Sequence, residues 1–346
     1  MINIVFLYSE LGPYLMPLFR GLTNSKENVE VVVIHWDKSI NTPYVPESIP
    51  NVFYHKRSQF KNSTHLFNFI FNINPKIIYI SGWMDKMYIY TLFKIKLNNK
   101  LYVKTIAGID DIWYGTLKQN FASYFATFIL KYLFDYLWIS GMPQYYYAKK
   151  MKFPDSRILL HLLSTNTNIE PAKKIFKKRF LYIGRFHQNK GLEILLNAYI
   201  QLPVNIKKEW PLELYGNGPL LNSLNLIKDK YVHINNYLIK EDLQQEYNKG
   251  GIFVLPSIYE AWGVVVHEAI TNGLPIILSY KVGSNLDFLI NNFNGFKFYT
   301  EDELHLIFLK ITNMSLKDLN EMSNNSLLLS KRITTEMSIS SLLSIL

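Results

Sequence analysis

Cysteine is absent from the 346-residue sequence, so the chain has no disulfide framework and no thiolate zinc site, which fits a reducing compartment. Long hydrophobic runs are also missing, because none approaches the roughly 18 apolar residues that span a bilayer. The nearest candidate, FASYFATFILKYLFDYLWI, is interrupted by Lys131 and Asp135. These breaks favour a buried helix followed by a strand, with a membrane-surface segment as the alternative. The first residues, MINIVFLYSE, lack the basic start and cleavage site of a signal peptide. We therefore expect a cytoplasmic protein whose first residues form a strand.

Acidic residues are scarce in the first half of the chain. The formal net charge is +10; residues 1–170 carry 18 Lys and Arg against 11 Asp and Glu, and the remaining residues carry 19 against 16. A basic half favours phosphate-bearing partners, among them anionic lipid head groups, lipid-diphosphate substrates and nucleic acid. The lysines are scattered singly, with no basic stripe and no interleaved aromatic platform, which argues against a nucleic-acid partner.

Apolar runs of strand length alternate with helical patterns along the whole chain. At roughly 100–200 residues per domain, the length predicts two domains. Strands are predicted at 2–8, 29–36, 76–81, 101–106 and 136–140, and again at 178–184, 212–216, 231–235, 251–256 and 274–279. Continuously apolar strands separated by helices indicate parallel sheets covered on both faces. The predicted class is therefore α/β, with two doubly wound, Rossmann-like domains facing each other across a cleft.

The boundary between the two domains is predicted near residue 170. The segment LLSTNTNIEPAKKIFKK is polar and basic and contains Pro171, as linkers do. The domains would span residues 1–170 and 171–346, and the last helix could pack back on the first domain. Ligands of doubly wound sheets bind beyond the carboxyl ends of the strands, so the informative residues should follow strands.

The first such motif, GRFHQNKG, follows a predicted strand and opens a helix. Gly184 permits a tight turn, while Arg185 and Lys190 place two cations at a helix N-terminus that already attracts anions. The motif indicates either a diphosphate clamp or a solvated basic loop. It is not a Walker A loop, whose glycine spacing differs and whose lysine is followed by Ser or Thr.

A second motif, LELYGNGP, ends another strand with Gly216 and Gly218. The glycines predict either a close backbone approach to a ligand or a tight strand-to-helix turn, with Pro219 beginning the helix. A dinucleotide fingerprint would need a third glycine where Leu221 stands, so the motif argues against an NAD site.

The third motif, PSIYEAWGVVVHEAI, carries two carboxylates across a strand-to-helix junction. Glu260 precedes the helix and Glu268 lies within it. Glu260 can accept hydrogen bonds from sugar hydroxyls, and Glu268 can hold a vicinal diol as acidic residues hold ribose. The plainer alternatives are a helix-start acid and a solvated helix face. Because His267 and Glu268 interrupt an otherwise apolar helix, we expect this helix to be largely buried and Glu268 to need a partner.

Taken in order, these motifs resemble the C-terminal half of retaining glycosyltransferases of family 4, the glycosyl transferases group 1, which have the GT-B fold. The shared pattern is G-R-x4-K-G, then L-x-x-G-x-G-P, then P-S-x-x-E-x-W-G-x4-E-A, and it covers residues 178 to 298. The resemblance implies that Arg185 and Lys190 hold the diphosphate of a nucleotide-sugar, that Glu260 contacts the transferred sugar, and that Glu268 binds the ribose.

The resemblance also implies a wider set of residues around the donor. These three, Arg185, Lys190 and Glu260, are the candidates for catalysis, and the other donor-side residues are Gly12, Gly184, Gly216, Gly218, Tyr237, Leu238, Trp262, Gly263, Val264, Val265 and Glu268. Asp110 and Asp111, which follow a strand in TIAGIDDIWYGT, are predicted to line the acceptor side. Asp110 could instead cap a short helical turn.

The reaction implied is transfer of a sugar from a UDP- or GDP-sugar to a hydroxyl of a glycan or lipid-diphosphate-linked saccharide, with retention of configuration. No cofactor and no metal are expected, because relatives of this fold need none and His161, His187 and His267 stand on different elements. A role in bacterial surface polysaccharide synthesis, with peripheral contact to an anionic membrane, is expected. A sugar-nucleotide epimerase, a phosphorylase and a non-catalytic nucleotide-sugar-binding protein remain alternatives.

Overall fold

The computed structural model describes residues 2–37, 44–98, 100–165, 176–238 and 240–346. The chain divides into two compact units, Met1–Thr165 with Ile333–Leu346, and Asn166–Arg332. The boundary predicted near residue 170, with Pro171, lies outside the described residues. Within the described ranges, no helix combines the length and the apolar character that crossing a bilayer requires.

The first unit is built on a seven-stranded sheet in the order β3-β2-β1-β4-β5-β6-β7, and every strand pair is parallel. Its strands are β1 (Ile2–Tyr8), β2 (Val29–His35), β3 (Val52–Lys56), β4 (Ile77–Ile80), β5 (Lys104–Ile109), β6 (Tyr136–Ile139) and β7 (Ile158–Leu159). Its helices are α1 (Met16–Thr23), α2 (Ser63–Ile73), α3 (Lys86–Leu97), α4 (Leu117–Leu133) and α5 (Met142–Lys150). The central strands are buried on both faces, as the continuous apolar runs predict.

The second unit contains a six-stranded parallel sheet in the order β10-β9-β8-β11-β12-β13. Its strands are β8 (Phe180–Ile183), β9 (Leu212–Tyr215), β10 (Val232–Asn235), β11 (Ile252–Leu255), β12 (Ile276–Ser279) and β13 (Gly295–Phe298). Its helices are α6 (Leu192–Ile200), α7 (Val204–Glu209), α8 (Leu221–Leu224), α9 (Lys240–Asn248), α10 (Val264–Thr271), α11 (Asn285–Phe288), α12 (Glu301–Thr312) and α13 (Leu316–Ser330). Both sheets are doubly wound, as predicted.

The last helix, α14 (Thr335–Leu343), belongs to the first unit. It packs on α1 at Gly21, where an added Cβ would collide with the Ile339 side chain, so a glycine lets the two helices approach closely. The Ser338 hydroxyl lies 3.0 Å from the Ser164 hydroxyl and adds a buried hydrogen bond.

Four strands differ from the sequence prediction. Strand β5 was predicted at 101–106 and lies at Lys104–Ile109, so that Asp110 follows it directly. Strands β3, β7 and β13 were not predicted, and all three lie at sheet edges. Burial fades along β3, β7 has only two residues, and Lys297 interrupts the apolar residues of β13. A strand covered incompletely lacks the continuous apolar run by which the central strands are predicted.

Each sheet has a topological switch point, where the strand order reverses between two central neighbours. In the first sheet it lies between β1 and β4, and in the second between β8 and β11. The loops that leave two such strands diverge to opposite sides and open a crevice at the carboxyl edge, where ligands of doubly wound sheets bind. The β8–β11 switch point is therefore the place at which to look for a site.

Candidate active site

The loops after β8 and β11 are packed tightly against each other. Gly191, the N-cap of α6, has a φ of +65°, and an added Cβ would collide with the carbonyl oxygen of Pro256. The Asn189 carbonyl accepts the backbone N–H groups of Ile258 (3.0 Å) and Tyr259 (3.2 Å). A glycine is required at residue 191 because other residues disfavour this φ and have no room for a side chain. The close packing fixes the position of Lys190 relative to the loop that follows β11.

Lys190 and Glu260 form an ion pair across the switch point. Lys190 Nζ contacts Glu260 Oε2, and the two side chains are only 14% and 15% exposed. The buried Ser257 hydroxyl donates to the same carboxylate oxygen at 3.3 Å. Two largely buried charges interact more strongly than a surface ion pair. Removing one partner would leave the other charge buried and uncompensated. The structure thus brings together two of the three residues predicted to be catalytic.

Arg185 lies on the same loop, and its side chain is exposed. Its carbonyl oxygen accepts a hydrogen bond from the Tyr182 hydroxyl at 2.9 Å. Burial raises the pKa of Tyr182; the charge of Glu260 raises it further and that of Arg185 lowers it, so both charges lie near this phenol. Arg185 is therefore available to a ligand beside the Lys190–Glu260 pair.

Helix α10 begins beside Glu260. Gly263 caps it with a φ of +88°, and the helix starts at Val264, so the N–H groups of Val264 and Val265 belong to the first turn. The first backbone donors of a helix have no partner within the helix and attract negative charge. Trp262 is buried at 2% exposure, so this residue can offer a ligand its backbone but little of its ring.

Glu268 and His267 have different environments on α10. Burial raises the pKa of the half-buried Glu268, while a 3.4 Å hydrogen bond from the Tyr247 hydroxyl opposes that shift. His267 is fully buried, donates from Nε2 to the Ser330 carbonyl at 3.0 Å and stacks on Phe288. Burial lowers the pKa of His267 to about 4, so the ring is neutral. His267 is a core residue that joins α10 to α13, whereas the Glu268 carboxylate is oriented by its hydrogen bond from Tyr247.

The glycines after β8 and β9 are required by packing between the two loops. An added Cβ on Gly216 would collide with the Gly184 carbonyl oxygen, and one on Gly218 would lie 2.5 Å from the Phe186 carbonyl oxygen. The Phe186 N–H donates to the Asn217 carbonyl at 2.8 Å. These contacts explain the glycines at residues 216 and 218 by the packing of a tight turn. Helix α8 begins at Leu221, two residues after the predicted start at Pro219.

The remaining donor-side candidates complete a row along one edge of the second sheet. Tyr237, 61% exposed, and the half-buried Leu238 follow β10. The order β10-β9-β8-β11 places Tyr237, then Gly216, then Lys190, then Glu260 after successive neighbouring strands. With strands about 4.8 Å apart, this row spans about 14 Å.

Two groups of candidates lie in the first unit. Gly12 follows β1 and precedes a short 3₁₀ turn, Pro13–Leu15. Burial, and then the charges of Asp110 and Glu10, raise the pKa of Tyr14, so Asp110 lies near the loop that contains Gly12.

Asp110 and Asp111 directly follow β5, and both are exposed. Asp111 accepts from the Ile112 N–H at 2.8 Å. The alternative in which Asp110 caps a short helical turn is wrong, because residues 110–116 form no helical turn. The next helix, α4, is capped by Thr116, whose hydroxyl accepts from the Gln119 N–H. Among the described residues, no three His, Asp or Glu side chains lie close enough together to hold a metal ion.

Three residues of the site escaped the sequence predictions: Ser257, Tyr247 and Asn189. Tyr247 contacts Glu268, which lies 21 residues further along the chain, and Asn189 acts through its backbone, so no local pattern reveals either of them. Ser257 lies beside Glu260 in the third motif, and its position next to a predicted site residue was the one signal present.

The fold and this site define a class of protein with two doubly wound units and a cation–carboxylate pair at the switch point of the second. In a comparison with known proteins, residues 166–326, just under half of the chain, match the family described as Glycosyl transferases group 1. The match confirms the predicted resemblance of this segment to group 1 glycosyltransferases, and the narrower assignment to family 4 stays a prediction.

The curated relatives align only in part. Sulfoquinovosyl transferase SQD2 of Arabidopsis thaliana is 30% identical over 148 residues, which is 42% of this chain and 26% of the relative. O-antigen chain mannosyltransferase B of Escherichia coli is 31% identical over 105 residues, 29% of this chain and 28% of the relative. The chain thus spans about a quarter of the length of these relatives.

Solved structures match the whole chain. Anabaena HepE in complex with UDP and glucose has a TM-score of 0.73 at 13% identity and covers 100% of this chain and 99% of its own. The lipopolysaccharide outer core galactosyltransferase WaaB has a TM-score of 0.72 at 14% identity, with both chains covered completely. At these identities the likeness shows the fold alone, and it confirms the predicted GT-B class.

Proposed function

We propose that the protein is a retaining glycosyltransferase of family 4 that transfers a sugar from a nucleotide-diphosphate donor to a hydroxyl acceptor. The observation that carries this proposal is the Lys190–Glu260 ion pair at the switch point of the second unit, with Glu268 on the adjoining helix. A cation and two carboxylates suit a ligand with a diphosphate between two hydroxyl-bearing sugars.

Lys190 and Arg185 would hold the diphosphate, and the first N–H groups of α10 would add donors beside it. As the bond to the sugar breaks, negative charge develops on the leaving diphosphate, and charges already in position stabilise it without reorganisation. Glu260 would accept hydrogen bonds from the transferred sugar. No enzymic nucleophile is required, because the leaving phosphate can take the proton of the acceptor hydroxyl on the same face of the sugar.

The remaining residues would define the two ends of the donor. Glu268, oriented by Tyr247, would bind the ribose diol, while Tyr237 and Leu238 would lie beside the base. The donor is a UDP- or GDP-sugar in this proposal. The structures of HepE with UDP and with UDP-glucose support a uridine nucleotide, since their fold is shared.

The acceptor is proposed to be a glycan or lipid-diphosphate-linked saccharide in bacterial surface polysaccharide assembly, with Asp110 and Asp111 among the residues that would contact it. The O-antigen chain mannosyltransferase and WaaG, a glycosyltransferase involved in lipopolysaccharide biosynthesis, support this assignment. The enzyme would work in the cytoplasm, peripherally at an anionic membrane face, and without a metal or other cofactor. Activity that is lost in EDTA and restored by a divalent cation would contradict the last point.

The test compares two lysines in similar surroundings. Lys190→Ala removes the proposed diphosphate ligand, and Lys207→Ala breaks a similarly buried ion pair, with Asp229, in the same unit. We expect Lys190→Ala to lose about 2–4 kcal/mol of transition-state stabilisation, about 30- to 1,000-fold in kcat/KM, and Lys207→Ala to change only stability. Arg185→Ala should resemble Lys190→Ala.

The assay supplies labelled UDP- and GDP-sugars with and without lipid and oligosaccharide acceptors, and calorimetry measures nucleotide affinity. Acceptor-dependent product supports transfer; label moving to a new sugar nucleotide without acceptor indicates an epimerase; binding without product indicates a non-catalytic protein. Equal kinetics in Lys190→Ala and Lys207→Ala would refute the diphosphate clamp.

A further inference from the structure

Helix α4 has apolar side chains on two opposite sides, one of which is buried while the other is largely exposed. Thr127, Leu130 and Leu133 are buried. On the opposite side, Tyr124, Phe128 and Tyr132 are 64%, 76% and 50% exposed. Residues four apart share one face of a helix, so these aromatic side chains form a stripe toward solvent. A surface helix of a globular protein is normally polar on that side.

The neighbouring helix continues this surface. On α3, Tyr90 is 57% and Leu97 is 74% exposed. The rings of Phe93 and Tyr132 lie 6.3 Å apart and join the two helices. We call this the α3–α4 surface and define it by Tyr90, Leu97, Tyr124, Phe128, Ile129 and Tyr132. A contiguous patch of several large, exposed apolar side chains is typical of an interaction site.

The charge around the α3–α4 surface is positive. Residues 85–135 contain seven lysines and four acidic residues. Asp110 and Asp111 stand in the loop before α4, Asp85 is buried in an ion pair with Arg57, and Asp135 pairs with Lys96. Lys94 on α3 and Lys131 on α4 are half-buried, and Lys152 Nζ lies 5.9 Å from the centroid of the Tyr124 ring. Long lysine side chains can lie along apolar surface while the ammonium groups stay in water. Aromatic rings among such lysines match the interfacial layer of a bilayer with anionic head groups.

We propose that the α3–α4 surface binds the face of an anionic lipid bilayer, with its aromatic side chains at head-group depth and its lysines on the lipid phosphates. This inference rests on the proposed function where it concerns the acceptor: α4 directly follows the loop of Asp110 and Asp111, so a lipid-linked acceptor would meet the acceptor side at the membrane. The bilayer contact itself depends only on the α3–α4 surface.

Vesicle flotation with the full chain tests the proposal. The probe is phosphatidylcholine vesicles with and without phosphatidylglycerol, at low and high salt. The wild-type protein should float only with the anionic vesicles at low salt, because screening removes attraction between exposed charges. The double variant Tyr124→Ser, Phe128→Ser should partition at least about tenfold less, since it removes two apolar side chains from the interface.

A matched control separates this surface from general apolar exposure. Leu226→Ser, Leu306→Ser alters two side chains of the second unit that are 78% and 62% exposed, and it should leave vesicle binding unchanged. Lys131→Gln and Lys152→Gln should each weaken binding by about fivefold. Nucleotide affinity should be the same in all these variants, so loss of vesicle binding and failure of the proposed transferase activity are distinguishable.

Three results would overturn the proposal: no flotation of the wild type on anionic vesicles, equal loss in the Leu226→Ser, Leu306→Ser control, or binding that ignores lipid charge. If the protein is a dimer that Tyr124→Ser, Phe128→Ser converts to a monomer without any vesicle binding, the α3–α4 surface is covered by a second copy of the chain instead.

Discussion

Substitution of His267 would measure how much this residue contributes to the packing of α10 in the second unit. Its imidazole is fully buried, donates to the Ser330 carbonyl and stacks on Phe288 at a centroid distance of 4.4 Å. Replacement by glutamine keeps an N–H donor at the end of the side chain but removes the titrating ring. His267→Gln therefore separates the proton chemistry of this residue from its hydrogen bond.

The magnitude follows from the pKa of His267, which burial lowers from 6.5 to about 4. Between these values the unfolded chain binds a proton that the folded protein does not, so stability falls as the pH falls through this window. The difference between these two pKa values corresponds to a destabilisation of about 3 kcal/mol, which is nearly complete at about pH 4 and absent above about pH 7. The loss of ring stacking in His267→Gln costs about 1 kcal/mol at every pH.

The assay is urea unfolding at a series of pH values from acid to neutral, with hydrogen exchange reporting on α10 and α13. At neutral pH the His267→Gln variant should be less stable by about 1 kcal/mol and should keep its nucleotide affinity. Its stability should fall less steeply toward acid, and the two curves should cross between about pH 5.5 and 6. Parallel curves would show that the ring is not held neutral, and loss of nucleotide affinity would show that His267 belongs to the site.

Two further variants test the site. Burial raises the pKa of Glu268, so the folded protein holds this proton more tightly than the unfolded chain and stability falls as pH rises above 4.5. Glu268→Gln should therefore melt at or above the wild-type temperature at pH 8 while UDP or GDP stabilises it less, and a lower melting temperature at pH 8 would contradict this reasoning. Gly191→Ala should lose about 1–3 kcal/mol of stability and displace Lys190, lowering kcat/KM, because its Cβ would meet the Pro256 carbonyl at a φ of +65°. Gly115→Ala is the control, with a similar φ of +69° and its nearest neighbour 3.7 Å away, and equal loss of kcat/KM in both variants would show that backbone strain alone is responsible.

The fold was predictable from the sequence to the extent that its strands are buried on both faces. Strands β1 and β11, predicted at 2–8 and 251–256, lie at Ile2–Tyr8 and Ile252–Leu255 because their apolar runs are continuous. Strand β3 was missed because only its first residue is buried. Strand β5 was displaced by three residues because Leu101 and Val103 extend the apolar pattern into the segment before it.

Positions along the chain were more predictable than contacts between distant residues. Lys190 and Glu260 were both expected near a ligand, since each follows a strand, but no spacing reveals that they contact each other across 70 residues. Likewise, the glycine after Lys190 predicts a turn. The structure requires a glycine there because the carbonyl of Pro256, in another loop, leaves no room for a side chain. Such contacts depend on the strand order, which brings β11 next to β8.

The Lys190–Glu260 pair explains why a carboxylate stands in the turn before α10. A lysine held at 14% exposure without a partner would be costly to desolvate, so Glu260 compensates its charge while the site is empty. A bound diphosphate would bring further negative charge, which Arg185 and the first turn of α10 can share, leaving Glu260 for a sugar hydroxyl. Glu268 does not take part in this compensation, since its partner is a neutral phenol, Tyr247. Burial of the Glu268 carboxylate therefore stays unfavourable until a ligand donates hydrogen bonds to it. A diol that supplied these donors would remove this unfavourable free energy, which would strengthen its binding.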